Sequence, residues 1–291
     1  EIYQCDWSSD VCSSDLLHRM YKGFYGLKEK PFSKTPDPRF LFLAKGHEEA
    51  LARLLYAVEE RELALLTGGI GSGKTTISRA LMDSVGDEYR FCIIFNPIVS
   101  SLEFLRILAR DLGISSPPST KDDLLRVLTE EMYRCHREGV VPVLVVDEAH
   151  MIPGREVFDE IRLLTNFQMD DSNLLSIILM GQPELRDRLA EAPYEALRQR
   201  VGIRFHLNPL NLEETLDYID FRLEVAGGKA GLFSPDAVLK IFELSGGVPR
   251  RINSIATNAL LSGFSRDATL IDGTIIEELR DEIDMPGNGV G

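Results

Sequence analysis

Cysteine is scarce: there are four in 291 residues, and two of them, Cys5 and Cys12, lie in the first sixteen. Cys92 and Cys135 remain, too few and too isolated for a disulfide framework or a zinc site. The single tryptophan, Trp7, sits in the same opening stretch. Basic residues are also in deficit, 32 Lys and Arg against 46 Asp and Glu, for a formal net charge of −14. That balance excludes the chain-wide basic character on which non-specific nucleic-acid binding draws. Long apolar runs are absent as well. Val140–Val146 and Leu174–Met180 are strand-length, far short of the ~18 residues of a membrane span. No basic segment followed by an apolar one opens the chain, so no secretory signal is visible. These absences predict a soluble, cytoplasmic globular protein.

Residues 1–16, from Glu1 to Leu16, show neither a helical nor a strand period and have nothing in common with the rest of the chain. Cys5–Leu16 has the look of a translated sequencing adapter, and such scars are set aside in reasoning about a fold. Residues 1–19 are therefore expected to be non-native, with Met20 as the start.

What is present is more specific. Residues 68–75 read Gly-Gly-Ile-Gly-Ser-Gly-Lys-Thr, and residues 143–148 read Val-Leu-Val-Val-Asp-Glu. The first fits G-x-x-x-x-G-K-[ST], the loop whose backbone N–H groups cradle nucleotide phosphates. The second is a buried-strand run ending in two acids, the form of a Walker B element. Each follows an apolar strand, and together they predict a P-loop nucleoside triphosphatase. Gly68, Gly69, Ile70, Gly71, Ser72, Gly73, Lys74, Thr75 and Thr76 are the expected phosphate-binding residues. The glycines allow close backbone approach, Lys74 brings a point charge to the β- and γ-phosphates, and the Thr75 hydroxyl serves magnesium. Asp147 is the second expected magnesium residue, and Glu148 the base that polarises the attacking water. ATP and Mg2+ are thus the expected substrate and cofactor. Asp147-Glu148-Ala149-His150 also spells a helicase DEAH box, but about 140 residues after Glu148 cannot hold a second RecA-like domain beside the rest. His150 is read as a local packing or hydrogen-bonding residue.

The pattern along the chain supplies the architecture. Dense prolines exclude a helix between Phe24 and Leu43, and Leu51, Leu54, Leu55 and Val58 repeat at helical spacing within His47–Arg61. Strands are predicted at Leu63–Thr67, Phe91–Phe95, Val141–Val146, Leu174–Met180 and Ile203–Leu207. Helices are expected from a capping box at Ser100-x-x-Glu103 to Leu112, over Lys121–Arg137 and around Arg155–Phe167. This alternation predicts an α/β fold, a five-stranded parallel sheet sandwiched by helices. After Pro209 only helical patterns occur, at Leu212–Val225, Ser234–Leu244, Pro249–Phe264 and Asp272–Ile283. The expected division is residues 20–208 for the nucleotide-binding domain, 209–285 for a small all-helical lid and 286–291 for a tail.

One strand lies between the phosphate-loop strand and the Walker B strand, leaving room for the insertion that defines the additional-strand catalytic-glutamate (ASCE) class. Further polar residues fall where such an enzyme needs them. Asn96, after the second strand, is placed to hydrogen-bond Glu148. Gln182, after the fourth, is placed to orient the water or the γ-phosphate as sensor 1. Arg198 and Arg200, before the fifth, are candidates for an arginine finger reaching a neighbouring subunit, and Arg250 is the candidate sensor 2.

With Phe24-Tyr25-Gly26-Leu27, Thr35-Pro36-Asp37-Pro38, Leu163-Leu164-Thr165-Asn166 and Gly181-Gln182-Pro183-Glu184-Leu185, the chain resembles the ExeA/general secretion pathway protein A group of AAA+ ATPases over nearly all of residues 20–285. The resemblance implies a P-loop domain with a helical lid, hydrolysis of ATP, and help in assembling secretion, pilus or polysaccharide-export machinery in the bacterial envelope. It also implies a homo-oligomer, a ring with an arginine finger in trans, and a protein partner in an envelope-associated complex. Through that partner a cytoplasmic protein would lie against the inner membrane. Longer members continue into a membrane segment and a peptidoglycan-binding domain, for which nothing in this sequence is a candidate, so it reads as the short form. Gly69-Ile70 replaces a more usual acidic residue and valine. The rival expectation is a DNA-associated ATPase of the transposition or replication-initiation type, less favoured because no basic stripe is evident.

Overall fold

The computed structural model of the protein describes residues 21–33, 37–169 and 172–280. Residues 1–19 and the tail at 286–291 lie outside them, so the reading of the opening segment as non-native falls outside the described residues. The chain divides into two compact units, Leu43–Asn208, and the residues up to Phe42 together with those from Pro209 onward.

The first unit carries the sheet. In chain order its main elements are α1 (Lys45–Glu59), β1 (Leu63–Gly68), α2 (Lys74–Ser84), β2 (Tyr89–Ile94), α3 (Ser101–Asp111), α4 (Lys121–Arg137), β3 (Val141–Val146), α5 (Glu156–Leu164), β4 (Ser176–Gly181), α6 (Pro183–Ala190), α7 (Glu195–Arg198) and β5 (Val201–Leu207). All five strands run parallel in the order β2-β3-β4-β1-β5. Every residue of β1, β3 and β4 is buried, as expected of strands covered on both faces. The edge strands β2 and β5 are only partly buried. Side chains alternate between two cores. Leu144 and Val146 join Phe104, Leu108, Leu128, Met132 and Phe158 from α3, α4 and α5, while Val143 and Val145 join Leu54, Ile77 and Leu81 from α1 and α2. The α/β sandwich expected from the sequence is therefore present.

The sheet order bears out the room for an inserted strand and identifies that strand. The strand between β1 and β3 in the sequence is β2, but β2 lies at the edge, and the strand that separates them in space is β4. The helix expected over Arg155–Phe167 stops at Leu164, and a two-stranded antiparallel pair, Gln168–Met169 with Ser172–Asn173, comes after it. Neither that pair nor α6 and α7 was expected, because short polar segments carry little period.

The second unit holds α8 (Leu212–Val225), α9 (Pro235–Ser245), α10 (Pro249–Ser265) and α11 (Gly273–Glu278). The aromatic, proline-rich segment before Phe42 is grouped with these helices. Among its described residues Pro38–Phe40 forms a three-residue 3-10 turn, and residues 21–24, just ahead of the prolines, are helical. The segment is held by rings and carbonyls. Phe24 meets Phe264, Phe32 meets Phe233 and Phe42 meets Tyr218 edge to face, with centroids 5.5, 6.0 and 5.7 Å apart. Lys28 N–H donates to Ala226 O at 2.8 Å, and Tyr25 Oη–H to Ala268 O at 3.0 Å. Arg222, buried in α8, donates from Nε to Pro31 O at 2.6 Å and from Nη1 to Tyr218 Oη at 2.9 Å, and lies over the Phe40 ring.

Candidate functional site

The three central strands end within three residues of one another: Thr67 pairs with Gly181 next to the end of β1, and Val146, the last residue of β3, pairs with Leu179. The loops leaving these strands therefore meet at the carboxyl end of the sheet, where parallel α/β folds place their ligands.

After β1 the chain turns through Gly68–Gly73 into α2. A Cβ on Gly68 would stand 2.8 Å from Ser72 Oγ and 3.0 Å from Leu207 O, so only glycine lets the loop close there. Gly73 caps α2 at φ 104°, a left-handed conformation. Its Cα faces His47 of α1, whose Nε2 lies 3.0 Å from Ser72 O and braces the loop from behind. Lys74 is 6 % exposed and donates from Nζ to Gly68 O at 2.8 Å and to Gly69 O at 3.0 Å, so its charge is folded into the loop. Ser72 Oγ is buried without a hydrogen-bond partner. Ile70 at the loop tip is exposed.

After β3, Asp147 is buried, and its Oδ2 accepts from Thr75 Oγ1–H at 3.0 Å. Its Oδ1 accepts from Glu148 N–H at 2.8 Å. Glu148 itself adopts φ 50°, ψ 36°, an unusual backbone for a non-glycine residue, costing on the order of 1–3 kcal/mol. It turns the chain straight into the 3-10 turn Ala149–Met151, so the Glu148 side chain leaves the strand axis and its Oε2 is buried without a hydrogen bond. That oxygen lies 3.4 Å from His150 Nδ1. After β4, Gln182 N–H donates to the same His150 Nδ1 at 3.3 Å, and the Gln182 carboxamide nitrogen lies 2.9 Å from His150 Nε2.

The phosphate loop, Thr75, Asp147, Glu148 and Gln182 are thus brought together, with β4 delivering Gln182 between the other two strand ends. Other expected residues stand elsewhere. Asn96 is exposed, and its Oδ1 accepts from Ile98 N–H at 3.4 Å instead of engaging Glu148, whose neighbour is His150. Arg198 donates from Nη1 to Ala190 O at 3.2 Å and Arg200 from Nη2 to Asn166 Oδ1 at 2.9 Å. Both precede Val201, which pairs with Leu63 at the start of β1, about 20 Å by strand rise from the phosphate loop of their own chain. Arg250 lies in the first turn of α10, in the helical unit. The contribution of His47 was missed, whereas His150, expected as a local packing or hydrogen-bonding residue, does hydrogen-bond, with Gln182 as a partner that was not foreseen. For His150 the signal was its place two residues after Glu148; for His47 there was none.

The donor set fits magnesium and a nucleotide. A hydroxyl and a carboxylate, both hard oxygen donors, lie side by side, as suits a cation that completes its shell with phosphates and water. Among the described residues no group of three acidic, His or Cys side chains forms a closed metal cage. The orphaned Ser72 hydroxyl, the folded-in Lys74 and the amino end of α2 all belong to the one loop Gly68–Lys74, and a helix amino end is a place that receives an anion.

The family profile described as AAA domain matches residues 58–189. General secretion pathway protein A of Aeromonas hydrophila is 38 % identical over 277 residues, which cover 90 % of this chain and 50 % of that protein. The chain thus spans about half the length of that relative. Among solved structures, an ORC2 protein of Aeropyrum pernix (TM-score 0.64, 16 % identity, 89 % of this chain and 72 % of that one) and Cdc6p of Pyrobaculum aerophilum (TM-score 0.62, 20 % identity, 81 % and 68 %) share the fold. No helix among the described residues is long and apolar enough to cross a membrane.

Proposed function

Residues 58–189 belong to the AAA domain family and the chain is a relative of general secretion pathway protein A; from that premise we propose that it binds ATP with Mg2+, hydrolyses it to ADP and phosphate, and couples the reaction to assembly or remodelling of a bacterial envelope complex. The observation that carries the chemical part is the meeting of Thr75 and Asp147 beside the folded-in Lys74. Lys74 exchanges its carbonyl partners for β- and γ-phosphate oxygens, and Thr75 and Asp147 hold the cation. Magnesium, when bound, withdraws charge from the phosphate oxygens. Glu148 takes a proton from the attacking water as that oxygen bonds to the γ-phosphorus and the bond to the β–γ bridging oxygen breaks. Gln182 holds the water or a γ-phosphate oxygen in line.

Arg200, or failing that Arg198, acts on a neighbouring copy. The distance to its own phosphate loop supports a role in trans, and hence a homo-oligomer with ring-like neighbours. Arg250 is the sensor 2 candidate. The envelope-complex reading rests on the likeness to general secretion pathway protein A and implies a cytoplasmic protein docked on a partner.

The chemical reading is tested by ATP binding and phosphate release. Lys74→Ala should abolish binding, whereas Glu148→Gln should bind ATP and fail to hydrolyse it. Glu148→Gln turning over at the wild-type rate would remove Glu148 as the base. The rival DNA-associated reading gains if ATP-dependent, salt-sensitive binding to duplex DNA appears.

A further inference from the structure

We propose that His150 is a positioning residue whose tautomer relays the state of the Gln182 carboxamide to the Glu148 carboxylate. The proposal rests on the reading above, in which Glu148 is the base and Gln182 touches the γ-phosphate.

Three groups converge on one imidazole. Nδ1 is 3.4 Å from Glu148 Oε2 and 3.3 Å from Gln182 N, and Nε2 is 2.9 Å from the Gln182 carboxamide nitrogen. A neutral imidazole carries one proton and one lone pair on its two nitrogens, so it cannot satisfy all three contacts at once. With the proton on Nδ1, His150 donates to Glu148 Oε2 and accepts the carboxamide N–H at Nε2. Glu148 is then held toward His150. With the proton on Nε2, the carboxamide must offer its oxygen, and the Nδ1 lone pair takes the Gln182 backbone N–H. That lone pair now faces Glu148 Oε2, and the carboxylate is released. The buried, hydrogen-bond-free Oε2 stands between these two arrangements.

The carboxamide decides between them. Its two ends are chemically opposite, a donor and an acceptor. A phosphate oxygen accepts only, so a γ-phosphate takes the NH2 end and leaves the C=O end for His150. The Nε2–H tautomer is then required, and Glu148 is freed to take a proton from water. Loss of the γ-phosphate lets the NH2 return to Nε2. The exchange is balanced: one proton leaves Nδ1 for water and one arrives at Nε2 from water, with no change in charge or oxidation state. The 3-10 turn and the left-handed Glu148 backbone fix His150 to the residue it controls.

Nitrogen-15 spectroscopy of histidine-labelled full-length protein tests this, with the His150 signals identified by comparison with His150→Asn. The Nδ1–H tautomer is expected with MgADP and the Nε2–H tautomer with magnesium β,γ-imido-ATP. The same tautomer in both complexes overturns the proposal. Turnover gives a second reading. His150→Ala leaves the Gln182 carboxamide without the Nε2–H that aims its NH2 end at the γ-phosphate, so it should leave the ATP dissociation constant within about threefold and lower kcat about tenfold or more; with Gln182 no longer aimed, adding Gln182→Ala should lower it little further. His150→Asn, which retains a polar group near Nδ1, should regain part of the loss. Wild-type kcat in His150→Ala beside an inactive Glu148→Gln would sink the relay and leave the ATPase reading intact. Failure of either nucleotide to bind would sink both.

Discussion

Thr75 and Asp147, seventy-two positions apart in sequence, meet hydroxyl to carboxylate at 3.0 Å where β1 and β3 end. The contact spans the strand β4 that lies between β1 and β3 in the sheet. It predicts a dependence on divalent cation shared by both residues. Thr75→Ala should retain nucleotide binding and raise the magnesium concentration needed for half-maximal turnover about tenfold or more. Chelation should abolish turnover in the wild type. A magnesium titration unchanged in Thr75→Ala would show that the pair does not hold the ion.

The expected finger concerns assembly. Arg200→Ala should bind ATP like the wild type and hydrolyse it ~10³-fold or more slowly. Specific activity of the wild type should rise with protein concentration. Mixing Arg200→Ala with Lys74→Ala should restore part of the activity, because a subunit unable to bind ATP still lends its arginine. Concentration-independent turnover with no recovery on mixing would show a protein that works as a monomer.

Among the described residues no carboxylate lies at hydrogen-bond distance from the buried Arg222, which binds two carbonyls, a phenol and a ring. Arg222→Ala strands Pro31 O, Ser33 O and the Tyr218–Asn253 pair, at a cost on the order of 3 kcal/mol. Arg222→Lys should recover less than half, since a point charge cannot span the same acceptors. Urea denaturation followed by a probe in α8–α11 reads the loss. An unchanged midpoint would show that the arginine is dispensable.

Acid should destabilise the protein in an identifiable way. Glu103 is held below the ordinary carboxylate range by the Ser100 backbone N–H and then by its hydroxyl, and Glu131 by the Arg134 guanidinium. Both ionise more readily in the folded chain than in the unfolded one. Their contribution is complete above the unfolded values and is lost as pH falls through the lower folded values. The melting temperature should therefore fall as the pH drops through and below the ordinary carboxylate range, and Ser100→Ala should lower it at neutral pH while flattening that fall. An identical acid profile in Ser100→Ala would contradict this role for Glu103.

Much of this was legible from local pattern. The phosphate loop, the Asp147-Glu148 pair and the strand before each announce themselves, because backbone approach to phosphate and a buried parallel strand both constrain composition tightly. The Ser100 capping box is visible for the same reason and is present with both hydrogen bonds. Spatial order was not legible. Nothing in the residues of β2 says that it takes an edge, and the identity of the separating strand emerges only from the pairing of Leu144 with Ile177 and of Leu65 with Leu179. His150 was legible as a packing or hydrogen-bonding residue, but its partner Gln182, remote in sequence, was not. The attachment of the proline-rich segment to α8 and α10 was equally hidden, since rings and carbonyl oxygens carry no address.

That attachment bears on synthesis. The segment before Phe42 leaves the ribosome early, yet the helices that cover Phe24, Phe32 and Phe42 begin after Pro209, roughly 170 residues later. At about 5–20 residues per second, its aromatic rings wait roughly ten to thirty seconds for their partners. The Leu43–Asn208 unit can close during that interval, since its strands pair only with each other. The nascent chain should thus pass through a stage with a finished sheet and a bare, ring-rich leader, the stage at which a chaperone would find something to hold.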